Sequence, residues 1–456
     1  MSTSVLYNVG THKEVTRDIV EKLFAEGIDE TVGMIPQANN VTGVTRHLYR
    51  FAMQTVPASQ IAKYSADGGV HPLGTGPRHL SFTAAFFWIM SSIRLTDEQT
   101  KLSQTSDQAM VNIMSTARAD QAEAFLDMLN TALFTNGTGL LTNSATAEGN
   151  STLTFDDATD VIGINKLREG MAVEVWDAAA TTKRAAADTS LPLFITAIDP
   201  TTKVVTLNQV VTALAADDRL AFSGMDVYGP STLVTAQSTW PVAPESQSGG
   251  GIGGDSFVHG FGYVNDDTDG NYYLGRIKSG TPKLKAVHVA AGGNALDFTH
   301  GARVRNKLQR MWKDDGVENT WLIFSLAQRE QLFRIGTQIT SKLMTGPTFG
   351  PSLDLRPQNA KYGDQFMYCD FKCRVDARQH NDRIDAMRPS DWGRVMAQGM
   401  ETHRTPDGRE WFEVRNGDGR VMSAYERYEK IGFDFCNYNP GRQAFIDGLL
   451  VPADAE

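Results

Sequence analysis

The chain has 456 residues, 41% hydrophobic and 21% charged, enough for two or three domains that each bury a core. No run of 18 or more apolar residues occurs, which excludes an ordinary membrane-spanning helix, and Met1–Val5 lacks the basic and apolar regions of a secretory signal. A formal charge of −10 without a dense Lys/Arg block argues against a protein that grips nucleic acid, and three cysteines are too few for a disulfide framework and suit a reducing cytoplasm.

In chain order, the first fifty residues are weakly periodic and punctuated by Gly10, Gly27, Gly33, Pro36 and Gly43. One short helix is predicted over Thr16–Glu26, and the stretch reads as an arm laid over something else. Between Arg50 and Gln99, short apolar runs flank a Gly/Pro-rich centre, Asp67–Pro77. The outer parts, Arg78–Phe82 among them, predict strands of a long hairpin. Gly68-Gly69 and Gly74-x-Gly76 lack the spacing and the following Lys-Ser/Thr of a P-loop, so an extended loop is the better reading.

Ser103–Asn136 predicts a long helix: Met110, Ile113, Met114, Ala117, Phe125, Met128, Leu129, Ala132 and Leu133 form one apolar stripe, and Gly137 suits the cap that ends it. Such a helix would be roughly 45–50 Å long. From Thr152 to Phe222 the period changes to two. Met171–Trp176, Phe194–Ile198, Lys203–Leu207 and Arg219–Phe222 predict strands, with a tight turn at Asp199–Lys203, and together suggest a small β-barrel or sandwich. Residues 230–256 read as a linker. Beyond it come a strand and hairpin (Phe257–Ile277), a helix near Thr299–Lys313, a strand (Thr320–Ser325) followed by a helix (Leu326–Ile335), and a largely β end (Tyr362–Pro452) with turns at Thr405–Gly408 and Asn416–Gly419.

None of the motifs asks for an enzyme. Asn265–Gly270 has the alternating oxygens of an EF-hand loop, but Arg276 stands where a bidentate Glu is needed, so a hairpin turn is favoured. Cys369 and Cys373 with His380 lack a fourth zinc ligand. They read as two half-buried thiols on one face of a strand. No HExxH pair and no nucleophile elbow occurs. No catalytic residue, cofactor or metal site is expected.

The order and spacing of several segments resemble a known family. Ala117-Arg-Ala-Asp-Gln-Ala-Glu-Ala-Phe125, followed by Leu129-Asn-Thr-Ala-Leu-Phe-Thr-Asn-Gly-Thr-Gly-Leu-Leu141, resembles the spine helix of tailed-phage major capsid proteins, which closes on a similar turn. Tyr425–Glu429, Asn437–Pro440 and Ile446–Leu449 resemble that family's closing strand pair. Phe257–Lys278, centred on Tyr272–Arg276, and Asp385–Asp391 are also similar.

The resemblance implies an α+β chain of the Hong Kong 97-type fold: an N-terminal arm (1–50), an E-loop (51–100), a peripheral domain with the spine helix (101–149), and an axial domain with the remaining peripheral strands (225–456). Residues 150–224 depart from that plan and read as an inserted β-barrel-like domain. The implied function is a major capsid protein, made in the host bacterial cytoplasm and found in the virion. It would self-assemble as hexamers and pentamers into an icosahedral shell, enclosing double-stranded DNA without sequence-specific binding and touching no membrane. A separate scaffolding protein, a portal and decoration proteins are the implied partners. Lys63, Tyr64, Asp67, His71 and Arg78 in the E-loop are the expected intersubunit contacts, and Lys63 is a candidate for an isopeptide bond to a neighbour. An encapsulin-like compartment shares the fold; a β-rich surface- or carbohydrate-binding protein and a hydrolase with a non-local site are the readings from other classes.

Overall fold

The computed structural model describes residues 31–38, 41, 48–56, 78–96, 121, 123–135, 137, 139–147, 151–155, 167–177, 183–188, 192–199, 202–215, 218–223, 258–267, 269, 272–274, 276–279, 281–313, 317, 319–343, 353–354, 366–402, 404, 408, 411–415 and 421–451. The predicted helix over Thr16–Glu26, the Asp67–Pro77 centre, the first part of the long helix and the 230–256 linker lie outside them.

Residues 31–38 pack against the rest of the chain. Thr31–Met34 forms one 3-10 turn, and Val32 and Ile35 are buried in the main core. Gln37 then bridges Arg394 in parallel, flanked by backbone bonds from Ala38 to Arg394 and from Arg394 to Pro36. This part of the expected arm is therefore sewn down.

Strands β1 (Leu48–Val56) and β2 (Arg78–Ala85) form the predicted antiparallel hairpin, with Leu48 opposite Ala85. Its period-two pattern sorts the faces: Tyr49, Phe51, Met53, Phe82 and Ala84 are buried, while Arg50, Ala52, Gln54, His79 and Ser81 are exposed. Strand β3 (Phe87–Thr96) leaves the hairpin to join another sheet.

The helix α1 is described over 121 and 123–133, the end of the predicted long helix. Phe125, Leu129, Ala132 and Leu133 are buried, as the stripe requires. The helix stops three residues before Asn136: tighter backbone bonds from Phe134 to Thr131 and from Thr135 to Ala132 close it, and Gly137 takes φ +82°.

Strand β4 (Leu140–Ala147) follows at once, with β5 (Thr152–Phe155), β6 (Val173–Trp176), β7 (Ile195–Asp199), β8 (Val204–Leu207) and β9 (Arg219–Phe222). Their order is β6-β9-β4-β5-β8-β7. The Ala172–Phe194 bridge and backbone bonds from Val173 to Leu193 and from Ile195 to Met171 join the two outer strands, closing a barrel. The barrel takes in β4, ahead of the expected boundary near residue 150. Thr142–Ala147 carries only small and polar side chains, so no apolar alternation marks β4 in the sequence.

Phe261–Val264 is a turn of helix (α2), not the strand expected there, because Gly262 donates its amide to the Thr135 carbonyl and Asn265 closes the turn onto Phe261. The predicted hairpin follows as β10 (Tyr272–Tyr273) and β11 (Arg276–Ile277).

Next come β12 (Val287–Ala290), α3 (Phe298–Trp312), β13 (Trp321–Phe324), α4 (Leu326–Leu343), β14 (Leu353–Asp354), β15 (Phe366–Tyr368), β16 (Phe371–Val375) and β17 (Ile384–Met387). Asp297 caps α3: it accepts from the His300 amide, and the Asp297 amide donates to His300 Nδ1. Helix α4 runs past the expected Ile335. Gly336 weakens a helix without ending it, and no proline follows before Pro347.

Cys369 is not on a strand. Tyr368 pairs with Phe371, so Cys369 and Asp370 form a two-residue turn, both at positive φ (51° and 68°) as such hairpins require. Cys369 and Cys373 are fully rather than half buried.

The chain ends with β18 (Trp392–Thr402), β19 (Trp411–Arg415), β20 (Val421–Asn437) and β21 (Ala444–Asp447). β20 has 17 residues, about 55 Å at strand rise. It pairs with β3 on one side, and with β18 and then β19 on the other.

Two cores meet at a sheet of order β12-β21-β17-β13-β16-β15-β14. Along β13, Leu322 and Phe324 face the core shared with α3, whereas Ile323 faces the core that contains α1, the barrel and β20. β17 alternates likewise, with Ile384 and Ala386 on one side and Met387 on the other. The central strands of this sheet are a shared wall.

Candidate functional site

Among the described residues, no group of three or more His, Cys, Asp or Glu is placed to hold a metal ion, and no helix is long and apolar enough to cross a membrane. All three cysteines are buried. Burial pushes the Cys369 thiol up to about 11 and Cys436 up to about 12, and Cys373 well above its ordinary value, so none is a poised nucleophile.

Two buried polar junctions tie together elements that are far apart in sequence. In the first, Asp434 of β20 accepts from Tyr49 Oη of β1 at 2.5 Å, from the His259 amide at 3.1 Å and from the Phe435 amide at 2.8 Å, and its Oδ2, which takes the Tyr49 bond, also lies 2.7 Å from His259 Nδ1. Tyr49, His259 and Asp434 are each 1% exposed or less. Burial, with Asp434 beside it, holds the Tyr49 hydroxyl well above its ordinary value, so it stays a donor. The trio fastens the hairpin base to the long strand.

In the second junction, Asp376, just after β16, accepts from Thr31 Oγ1 at 2.6 Å and from Asn130 Nδ2 of α1 at 3.2 Å; its other oxygen accepts from the Arg378 amide at 3.0 Å. Asn130 Oδ1 accepts in turn from the Val32 amide at 3.3 Å. One turn earlier on α1, Asp127 pairs with Arg378 and with Arg168 of the barrel, the latter at 2.8 Å. The arm residue, the helix, the barrel and the edge of the shared sheet thus converge on two carboxylates.

Lys63, Tyr64, Asp67 and His71 lie outside the described residues, and Arg78 pairs through its backbone with Val56 at the outer end of the hairpin. Sequence reasoning missed Thr31, Asp376 and Asp434, which stand alone among unrelated neighbours. Asn130 left a faint signal: it sits inside the helix that carries the apolar stripe and is fully buried.

No family model and no curated protein matches the chain. Among solved structures, it is similar to the capsid asymmetric unit of cyanophage A-1(L), at 8% identity over 94% of this chain and 93% of that one, with a TM-score of 0.41. It is also similar to the capsid of Myoviridae phage XM1, at 9% identity over 92% and 90%, with a TM-score of 0.37. A virus-like particle from Pyrococcus furiosus follows, at 8% identity over 95% and 96%, with a TM-score of 0.33. The resemblances are to two capsids and a virus-like particle.

Proposed function

We propose that this chain is a shell subunit, a major capsid protein whose copies assemble as hexamers and pentamers around double-stranded DNA. The observation that carries the reading is the β1–β2 hairpin: a two-stranded ribbon that, among the described residues, pairs with no other strand and is clamped at its base by Tyr49 and Asp434. One face of the ribbon is buried in the chain's own core, but its continuation, residues 57–77, is rich in Gly and Pro and poor in apolar side chains. A neighbouring copy supplies the missing burial, through contacts that include Lys63, Tyr64, Asp67, His71 and Arg78. A scaffolding protein, a portal and decoration proteins are the further partners of such a subunit.

The test is replacement of Gly68–Gly76 by a short Gly-Ser linker. Circular dichroism and the unfolding midpoint stay at the wild-type values, and the yield of closed particles in negative-stain images collapses. A variant that closes normal shells defeats the assignment of the hairpin tip. One that fails to fold places the tip in the subunit core.

A further inference from the structure

The sequence reading found no basic face, yet the helical period assembles one. Within α3 there are four cations, Arg303, Arg305, Lys307 and Arg310, and no carboxylate, in a chain whose formal charge is −10. Its buried face is His300, Gly301, Val304 and Leu308. Gly301 is required there, since a Cβ would stand 2.5 Å from Tyr368 Cε1. That seating turns Arg303, Asn306, Lys307 and Arg310 outward, and all four are exposed. Arg303, Lys307 and Arg310 stand four and three residues apart, with Asn306 beside them, and form a single stripe.

An ordinary solvated helix face intersperses acids with its cations, because like charges at these spacings repel. Here Arg303 and Lys307 are four apart, and Lys307 and Arg310 three apart. The carboxylates at the margins are engaged elsewhere: Asp297 with Thr299 and His300, and Asp370 with Arg305. Lys307 also donates to the His288 carbonyl at 2.6 Å. Asp314 and Asp315 come next in the sequence, after Lys313.

We infer that the exposed stripe of α3 is a contact surface for the phosphate backbone of duplex DNA. The stripe spans about 10 Å of helix, over which a duplex presents about six phosphate charges. Three cations around a neutral amide side chain complement that line, and an anion laid along it relieves their mutual repulsion. Three contacts give weak, sequence-independent binding, suited to a surface that touches DNA held at high concentration. The inference rests on the shell reading for its biological setting, while the surface itself is tested without a shell.

The experiment uses the full-length chain, with Arg303, Lys307 and Arg310 all changed to Gln, and a control in which Arg50, Arg94 and Arg404, exposed on other elements, are changed to Gln. Fluorescence anisotropy of a labelled duplex of about 20 base pairs is followed from about 20 to about 200 mM salt. The stripe variant is expected to flatten the slope of log K against log salt by about 2–3 relative to wild type, with the control much closer to wild type. Equal slopes for stripe variant and wild type overturn the inference, as does a wild-type chain that binds polyglutamate but not DNA. Negative-stain images of the same proteins after assembly read the shell proposal separately: shells with equal slopes sink only the stripe, and a flattened slope without wild-type shells sinks only the capsid.

Discussion

Tyr49 and Asp434 lie 385 residues apart in sequence and share a fully buried hydrogen bond of 2.5 Å. Through it, the first strand of the hairpin is fixed to β20, a strand of 17 residues.

Tyr49→Phe removes one donor and leaves Asp434 its bonds from His259 and Phe435. Because the acceptor is a desolvated carboxylate, the expected loss is about 1.5–3 kcal/mol in urea unfolding. Near-wild-type stability would mean that water or His259 replaces the hydroxyl.

Asp376→Asn and Thr31→Val test the second junction by a double-mutant cycle. The two residues are 2.6 Å apart, so an interaction energy of about 1–2 kcal/mol is expected. Limited proteolysis of Asp376→Ala should cut within residues 31–38 faster than in wild type. Additive single mutants would show that the Thr31–Asp376 bond contributes nothing and that the arm is held by Val32, Ile35 and its backbone bonds to Arg394.

The closed barrel makes a prediction about fragments. β4 stands between β9 and β5, so a fragment of residues 150–224 lacks a central strand and should give the amide spectrum of an unfolded chain. A fragment of residues 139–224 should give a dispersed, β-type spectrum. Dispersion in the shorter fragment would refute the pairing of β4.

The Asp297 cap carries a pH signature. Burial on its own would raise the pKa of Asp297, but hydrogen bonds from Thr299 and His300 outweigh it and hold the carboxyl below its ordinary value of 3.8. A depressed carboxylate stabilises the fold above the unfolded-state value and loses that contribution as pH falls through the folded one. Asp297→Ala should therefore cost about 1 kcal/mol at neutral pH. The difference from wild type should shrink as pH drops below the ordinary value; a deficit constant down to acid pH would assign the effect to packing.

Local periodicity settled much of this protein. The hairpin strands, the apolar stripe of α1, the four barrel strands from Val173 onward and helix α3 are legible because each depends on neighbours two to four residues away. The resemblance to capsid proteins came instead from the order and likeness of short segments around Leu129–Leu141 and Tyr425–Glu429, which periodicity does not supply. Tertiary structure alone decided the rest. It placed the polar strand β4 in the barrel, where pairing on both edges outweighs weak propensity. It set Cys369 in a turn, because the Tyr368–Phe371 pairing leaves two residues to reverse the chain. It brought Thr31, Asn130 and Asp376 to one point, and Tyr49, His259 and Asp434 to another, through hydrogen bonds between residues far apart in sequence, which no periodicity records. It also chose which side of α3 faces water, and so turned Arg303, Lys307 and Arg310 into one charged surface.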